Sequence, residues 1–241
     1  MESPSPHSRT ALVTGASRGI GAAIARALAA DGTRVALLAR SAAALEALAA
    51  DIGGGAVAIE CDLSDSAAVA AAVEATRAAF GDAPDILVNN AGAFRLSTLD
   101  SMPVESFREA ITTNLMAPFT LIRAFVGDMR ARRSGHVVTI GSIADRFAFP
   151  GNGAYAASKF GVRGLHEVLL TELRGSGVRA SLISPSAVDT DLWDPIDTEG
   201  ADTPFPPRAS MLSAVAVAEA VMFAVTRSQG VNVDELRMSS G

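Results

Sequence analysis

The stretch TGASRGIG, residues 14–21, lies between a short apolar run (11–14) and a longer amphipathic one (20–31). A glycine-rich turn that leaves a strand and opens a helix presents free backbone N–H groups and a helix dipole to a pyrophosphate. Gly15 permits the tight turn, Gly19 lets a phosphate approach the backbone, and Gly21 lets helix and strand pack closely. Ser17, Arg18 and Ile20 fill the same turn, so all six residues are candidates for holding a dinucleotide.

Outward from this turn the pattern alternates. Further apolar runs at 34–39, 56–60, 85–89, 137–140 and 178–183 read as strands. Amphipathic runs at 42–51, 66–80, 103–132 (two helices) and 155–174 read as helices, and a last helix (215–226) precedes a short strand near 233–236. Continuously apolar strands are buried on both faces, and βαβα alternation implies a parallel sheet covered by helices. The expectation is a three-layer α/β/α, doubly wound Rossmann-type domain over 10–241, with a loose tail at 1–9. Residues 184–213 are rich in Pro, Asp and Thr without a period. A loop that long in a compact domain reads as a lid, placed at about 186–212.

Composition narrows the classes. The 241 residues carry 20 basic and 26 acidic side chains, a net charge of −6, which gives no electrostatic footprint for nucleic acid. The lone cysteine, Cys61, permits no internal disulfide and suits a reducing compartment. The N-terminus lacks an apolar signal core, and uninterrupted apolar runs fall short of the roughly 20 residues of a membrane helix. A soluble cytoplasmic protein is expected.

The end of the second strand selects the dinucleotide. An acidic side chain there would hold a ribose 2′-hydroxyl and repel a 2′-phosphate. This chain has Ala39, Arg40 and Ser41, with Arg18 in the glycine turn. Two guanidiniums and a hydroxyl suit a 2′-phosphate, so NADP(H) is expected over NAD(H).

Further motifs follow in order: Asp62-Leu63 after the third strand, NNAG at 89–92, Asn114, Ser142 and YAASK at 155–159. Together with TGASRGIG and their spacings, they make the chain resemble the short-chain dehydrogenase/reductase family over nearly its whole length. The resemblance implies that Asp62 and Leu63 flank the adenine and that Asn90, Ala91 and Gly92 line the cofactor. Pro185, Val188 and Thr190 would border the nicotinamide end. It implies further that Asn114 holds a relay water, Ser142 binds the substrate oxygen, Tyr155 is the general acid/base and Lys159 activates it. The implied reaction interconverts a carbonyl and a secondary alcohol of a small molecule. The implied assembly is a homodimer or homotetramer, through the middle helices or the last strand.

The chemistry of the residues agrees. Hydride addition to a carbonyl makes an alkoxide that needs a proton, and tyrosine's ordinary pKa near 10 is high for that task. Lowering it by about three units takes about 4 kcal/mol. A unit charge at about 4 Å supplies that amount at an effective dielectric near 20, and Lys159 lies four residues on, on the same helical face.

Some positions depart from the family pattern or stay open. Pro185 is followed by Ser186 where the family usually has glycine, so a local shift of the chain is expected. Arg133 matches a carrier-binding arginine of the 3-oxoacyl-carrier-protein reductases, but the second such position reads Ser176. Arg130, Arg132 and Arg133 also suit a plain helix C-terminus. Asp189, Asp191, Asp194, Asp197, Glu199 and Asp202 read as solvated loop acids, with no metal expected. His166, about 16 Å along the helix from Tyr155, reads as a helix–helix contact. Phe94, Phe147, Phe149, Trp193 and Phe205 either converge on the substrate or pack elsewhere.

Overall fold

The computed structural model describes residues 9–194 and 205–241. In chain order the elements are β1 (Thr10–Thr14), α1 (Gly19–Ala30), β2 (Arg34–Ala39), α2 (Ala42–Ile52), β3 (Val57–Glu60) and α3 (Ser66–Phe80). Then come β4 (Ile86–Asn89), α4 (Val104–Ile111), α5 (Ala117–Ala131), β5 (Gly135–Ile140), α6 (Gly153–Glu172) and β6 (Val178–Pro185). The chain closes with β7 (Val188–Asp189), β8 (Leu212–Ser213), α7 (Ala214–Val225) and β9 (Glu235–Met238). Seven strands form one parallel sheet in the order β3-β2-β1-β4-β5-β6-β9. The winding reverses between β1 and β4, which opens a crevice beyond their C-terminal ends.

Alternation along the strands splits the core into two layers. Ala11 and Val13 of β1 join Val35, Leu37, Val138 and Ile183 beneath α1 and α7. Leu12 points the other way, to Leu38, Leu87, Val137 and Phe125, beneath α3, α5 and α6. Helix starts are set by local chemistry: Ser41, Asp65 and Ser213 accept backbone N–H groups of α2, α3 and α7. Gly81, in the left-handed region at φ 80°, ends α3.

The expected pair of helices at 103–132 is one helical run, Val104–Ala131, with a π-helical turn at Thr112–Met116 between α4 and α5. By length and composition it could cross a membrane. Its inner face, Leu121, Ile122, Phe125 and Met129, is buried in the core, while Arg108, Arg123 and Arg130 are exposed, as in a helix packed on a sheet.

Other departures are local. The last strand runs two residues later than expected. The long loop contains a two-residue parallel pair, β7 with β8, that no periodicity announces. Ser186 needs no glycine: the one described non-glycine residue at positive φ is Arg133 (54°). Its guanidinium donates to the Gly175 carbonyl at 3.0 Å, and Arg132 donates to the carbonyls of Ala83 (2.8 Å) and Pro84 (2.7 Å). The His166 ring donates to the Asp234 carbonyl at 2.8 Å, which ties α6 to the segment before β9 rather than to another helix. Residues 1–8 of the expected tail, and Asp197, Glu199 and Asp202 of the loop, lie outside the described residues.

Candidate active site

Thr14, at the end of β1, holds the glycine turn in place. Its hydroxyl donates to the Val88 carbonyl (3.2 Å) and accepts from the N–H groups of Asn90 (2.9 Å) and Ala91 (3.1 Å). The Asn90 side-chain amide donates back to the carbonyls of Thr14 (2.9 Å) and Gly15 (3.3 Å). Gly15 (φ 65°) and Gly19 (φ 56°) adopt left-handed backbone. Gly21 has no room for a side chain: a Cβ there would overlap the Gly15 carbonyl and stand 2.6 Å from Asn90 Nδ2. Helix α1 starts at Arg18 without a side-chain cap, so its first N–H groups remain available to an anion.

The turn opens onto a cleft of about 790 Å³, at the large end of small-molecule sites. Of the nineteen candidate site residues, seventeen line it; Gly21 and Asn114 do not. Arg18, Arg40, Asp62 and Leu63 lie along the glycine-turn side, and Pro185, Val188 and Thr190 border the loop. The Asp62 carboxylate accepts from Ser64 N–H (2.9 Å) and Oγ (2.8 Å), which holds its pKa below the usual range. Arg18 stands 3.7 Å from Asp191.

Asn114 sits in the π turn, a frequent mark of functional sites. Its Oδ1 accepts from Ala93 N–H (2.7 Å), and its Nδ2 donates to the Ala93 carbonyl (2.9 Å) and to Ser158 Oγ (2.9 Å). Ser158 in turn donates to the Tyr155 carbonyl at 2.7 Å. Asn114 therefore latches the segment after β4 to α6, and one Oδ1 lone pair has no partner among the described residues.

Ser142 leaves β5 in extended backbone, and its Oγ accepts from Ala144 N–H at 3.2 Å. Lys159 is buried; its ammonium donates to the Ile140 carbonyl at 2.8 Å and lies 5.5 Å from the Tyr155 ring centroid. Burial pushes the lysine from 10.5 down to about 8, against the opposing pull of Asp145. The expected lowering of Tyr155 by this lysine is not found. Burial raises the phenol, a hydrogen bond with Ser142 works against that, and the Asp145 carboxylate adds to the rise. Asp145 has 0 % of its surface exposed and was not singled out from the sequence. Its carboxylate accepts from Ser184 Oγ (2.8 Å) and Arg146 (3.1 Å), and Arg146 bridges to Glu235 of β9 at 2.6 Å. Cys61 is buried, with its thiol pushed up to about 11 by burial first and by Asp62 and Asp65 next.

The described loop acids, Asp189, Asp191 and Asp194, are paired with arginines rather than simply solvated. Arg208 binds Asp189 (2.6 Å), Asp194 (2.5 Å) and the Thr190 carbonyl (3.1 Å), closing the loop on itself. Phe94, Phe149, Trp193 and Phe205 line the cleft near Tyr155; Phe147 is 58 % exposed and lies outside it.

The family model described as short chain dehydrogenase matches residues 9–200. The chain belongs to the short-chain dehydrogenase family. This dehydrogenase is 42 % identical to D-threitol dehydrogenase of Mycolicibacterium smegmatis over 193 residues, 77 % of this chain and 74 % of that one. It is 38 % identical to 3-oxoacyl-[acyl-carrier-protein] reductase FabG of Escherichia coli over 184 residues, 76 % and 75 % of the two chains. A metagenomic short-chain oxidoreductase solved in complex with NADP superposes with a TM-score of 0.82 at 36 % identity, over 97 % of both chains. An alcohol dehydrogenase of the archaeon Thermococcus sibiricus, complexed with 5-hydroxy-NADP, gives 0.84 at 32 % identity over 96 % of both chains. The protein is an NAD(P)-dependent oxidoreductase interconverting a carbonyl and an alcohol.

Proposed function

We propose that this dehydrogenase is an NADP(H)-preferring carbonyl reductase and secondary alcohol dehydrogenase with Tyr155 as its general acid/base. The observation that carries the reading is one cleft lined by the glycine turn, Ser142, Tyr155 and Lys159 together. The uncapped start of α1 and the backbone of Gly19 suit a pyrophosphate, and Asp62 with Leu63 suits an adenine edge. Arg40 and Arg18, with no acid at the end of β2, favour a 2′-phosphate. Pro185, Val188 and Thr190, with Asn90, Ala91 and Gly92, line the same cleft and suit the nicotinamide end of the cofactor.

A bound nicotinamide supplies or accepts the hydride. Ser142 Oγ donates to the substrate oxygen, and the Tyr155 hydroxyl gives its proton to that oxygen as charge develops there. The raised pKa keeps Tyr155 protonated at neutral pH, the form a reduction requires. The ammonium of Lys159 stabilises the phenolate left behind. Asn114 positions the site through Ala93 and Ser158, with its free lone pair open to a water.

Residues 10–241 act as one domain in this reading, in the cytoplasm and as a homodimer or homotetramer. Val104, Phe107, Met116 and Phe119 on the middle helices, and Phe160 and Val168 on α6, leave an apolar face that a second copy would cover. Arg133 lies at the N-terminal end of β5, while the cleft lies beyond its C-terminal end. That placement does not favour a carrier-bound substrate approaching Arg133 and its own chain's cleft together.

The test follows oxidation of NADPH and of NADH with ketones, aldehydes and 3-oxoacyl thioesters, with Tyr155→Phe as control. Turnover with NADPH that falls at least a hundredfold in the variant is expected, on the order of a lost general acid. A preference for NADH overturns the cofactor reading, and undiminished turnover in Tyr155→Phe overturns the mechanism.

A further inference from the structure

The ring side chains of the cleft form one connected set. Tyr155 and Phe94 have centroids 4.8 Å apart, Phe94 and Trp193 5.7 Å, Trp193 and Phe205 5.2 Å, and Phe205 and Phe149 5.6 Å. Interplanar angles of 59–78° make each contact tilted or edge-to-face, the geometry aromatic pairs prefer. They come from four separate places: Phe94 after β4, Phe149 after β5, Tyr155 on α6, and Trp193 and Phe205 on the loop. None of Phe94, Phe149, Trp193 and Phe205 belongs to the two core layers, and each remains partly open to the cleft. Local bonds hold the loop rings in place: Trp193 Nε1 donates to the Val188 carbonyl at 3.0 Å, and Arg208 fixes Asp189 and Asp194 on either side.

The charged side chains lining the cleft are Arg18, Arg40, Asp62, Glu109, Lys159 and Asp191. Arg18 faces Asp191, Arg40 and Asp62 mark the glycine-turn side, Glu109 faces Arg95 at 3.5 Å, and Lys159 is bonded to Ile140. On the side of Tyr155 that Phe94, Trp193, Phe205 and Phe149 border, the wall is made of rings, while Ser142 and Lys159 stand on the side of the reacting oxygen. A polyol placed there would bury hydroxyls without partners, a discrimination of about a hundredfold. A flat ring would add edge-to-face contacts to a lattice already built from them.

Resting on the catalytic reading above, we propose that the substrate carbonyl carries an aromatic group, seated among Phe94, Phe149, Trp193 and Phe205 beside Tyr155. The substrate class is an aryl ketone and its secondary alcohol, rather than a polyol or a linear acyl thioester.

The test compares kcat/KM with NADPH for phenyl methyl ketone, cyclohexyl methyl ketone, a four-carbon ketose and an acetoacetyl thioester. The phenyl ketone is expected to exceed the cyclohexyl ketone about threefold to tenfold, the margin of aromatic contacts beyond buried area. It should exceed the ketose roughly a hundredfold or more. Trp193→Ala and Phe205→Ala should each shrink the phenyl/cyclohexyl ratio toward one, while Phe147→Ala, outside the cleft, should keep it. Trp193 is the single tryptophan of the chain, so quenching of its fluorescence by the phenyl ketone reads binding without turnover. Preference for the ketose or thioester, or a ratio unchanged in both ring variants, overturns the inference and leaves the oxidoreductase reading standing. Binding of the phenyl ketone without turnover of any carbonyl supports the ring site and removes the catalytic reading. Neither binding nor turnover removes both.

Discussion

Replacing Gly21 by alanine tests whether the glycine turn is shaped by packing or only by sequence habit. The added Cβ would overlap the Gly15 carbonyl and stand 2.6 Å from Asn90 Nδ2, a group held by two hydrogen bonds to backbone carbonyls. Neither neighbour is the free end of a flexible side chain, so α1 and the turn must separate. Overpacking of this kind costs about 1–3 kcal/mol. For a chain of this size each kcal/mol is worth roughly 2–4 °C, so a fall in Tm of about 2–12 °C is expected. The displaced N–H groups also lose alignment with the pyrophosphate. One charge-assisted hydrogen bond is worth about 1.5–3 kcal/mol, so NADPH affinity should fall about tenfold to a hundredfold. Thermal unfolding gives the first quantity, and titration of Trp193 fluorescence with NADPH gives the second. Gly32→Ala is the control: it has positive φ (80°) but nothing within 4 Å, so it should cost stability without affecting NADPH binding. If Gly21→Ala bound NADPH within twofold of the wild type, the steric reasoning would be refuted.

Two further predictions concern charge and assembly. Lys159 has its pKa depressed to about 8, so it is charged below that pH and neutral above it, while Tyr155, shifted upward, stays protonated throughout. The kcat/KM for carbonyl reduction should therefore fall as pH rises through about 8. Asp145→Asn removes a carboxylate that raises the lysine, so this descent should move to lower pH; a pH–rate profile flat to pH 10 would sink the assignment. Phe119, 42 % exposed and three residues from the exposed Met116 on the same helical run, should sit in a subunit contact. Light scattering should give a wild-type mass that is a multiple of 24.6 kDa, and Phe119→Asp should reduce it toward one chain; a monomeric wild type would contradict this.

The sheet was legible because its strands are buried on both faces and so read as unbroken apolar runs between glycine and polar punctuation. The cofactor side was legible for a related reason. Tight turns and close backbone approaches leave glycines at fixed places, and Gly15, Gly19 and Gly21 each meet such a constraint in the fold. What was not legible depends on hydrogen bonds that leave no period. The π turn at Asn114 follows from a slip in backbone pairing, and β7 with β8 is only two residues long. Asp145 carries no sequence mark that separates it from an exposed acid, although it is fully buried behind the site. Sequence spacing gives the face that Lys159 shares with Tyr155, but not the burial that raises the phenol or the carbonyl that the ammonium meets.

The π turn has a consequence for how this chain tolerates change in length. One extra residue is accommodated between α4 and α5, and each residue of an α-helix accounts for about 100° of rotation. Deleting a single residue from 112–116 would remove the bulge and let the run wind as a regular α-helix, with its two halves left close to their present phase. The half facing α6 and the half facing α3 are thus keyed to each other in phase, like two cams on one shaft. The fold should therefore survive that deletion, while Asn114, placed by the bulge, would lose its reach to Ala93 and Ser158.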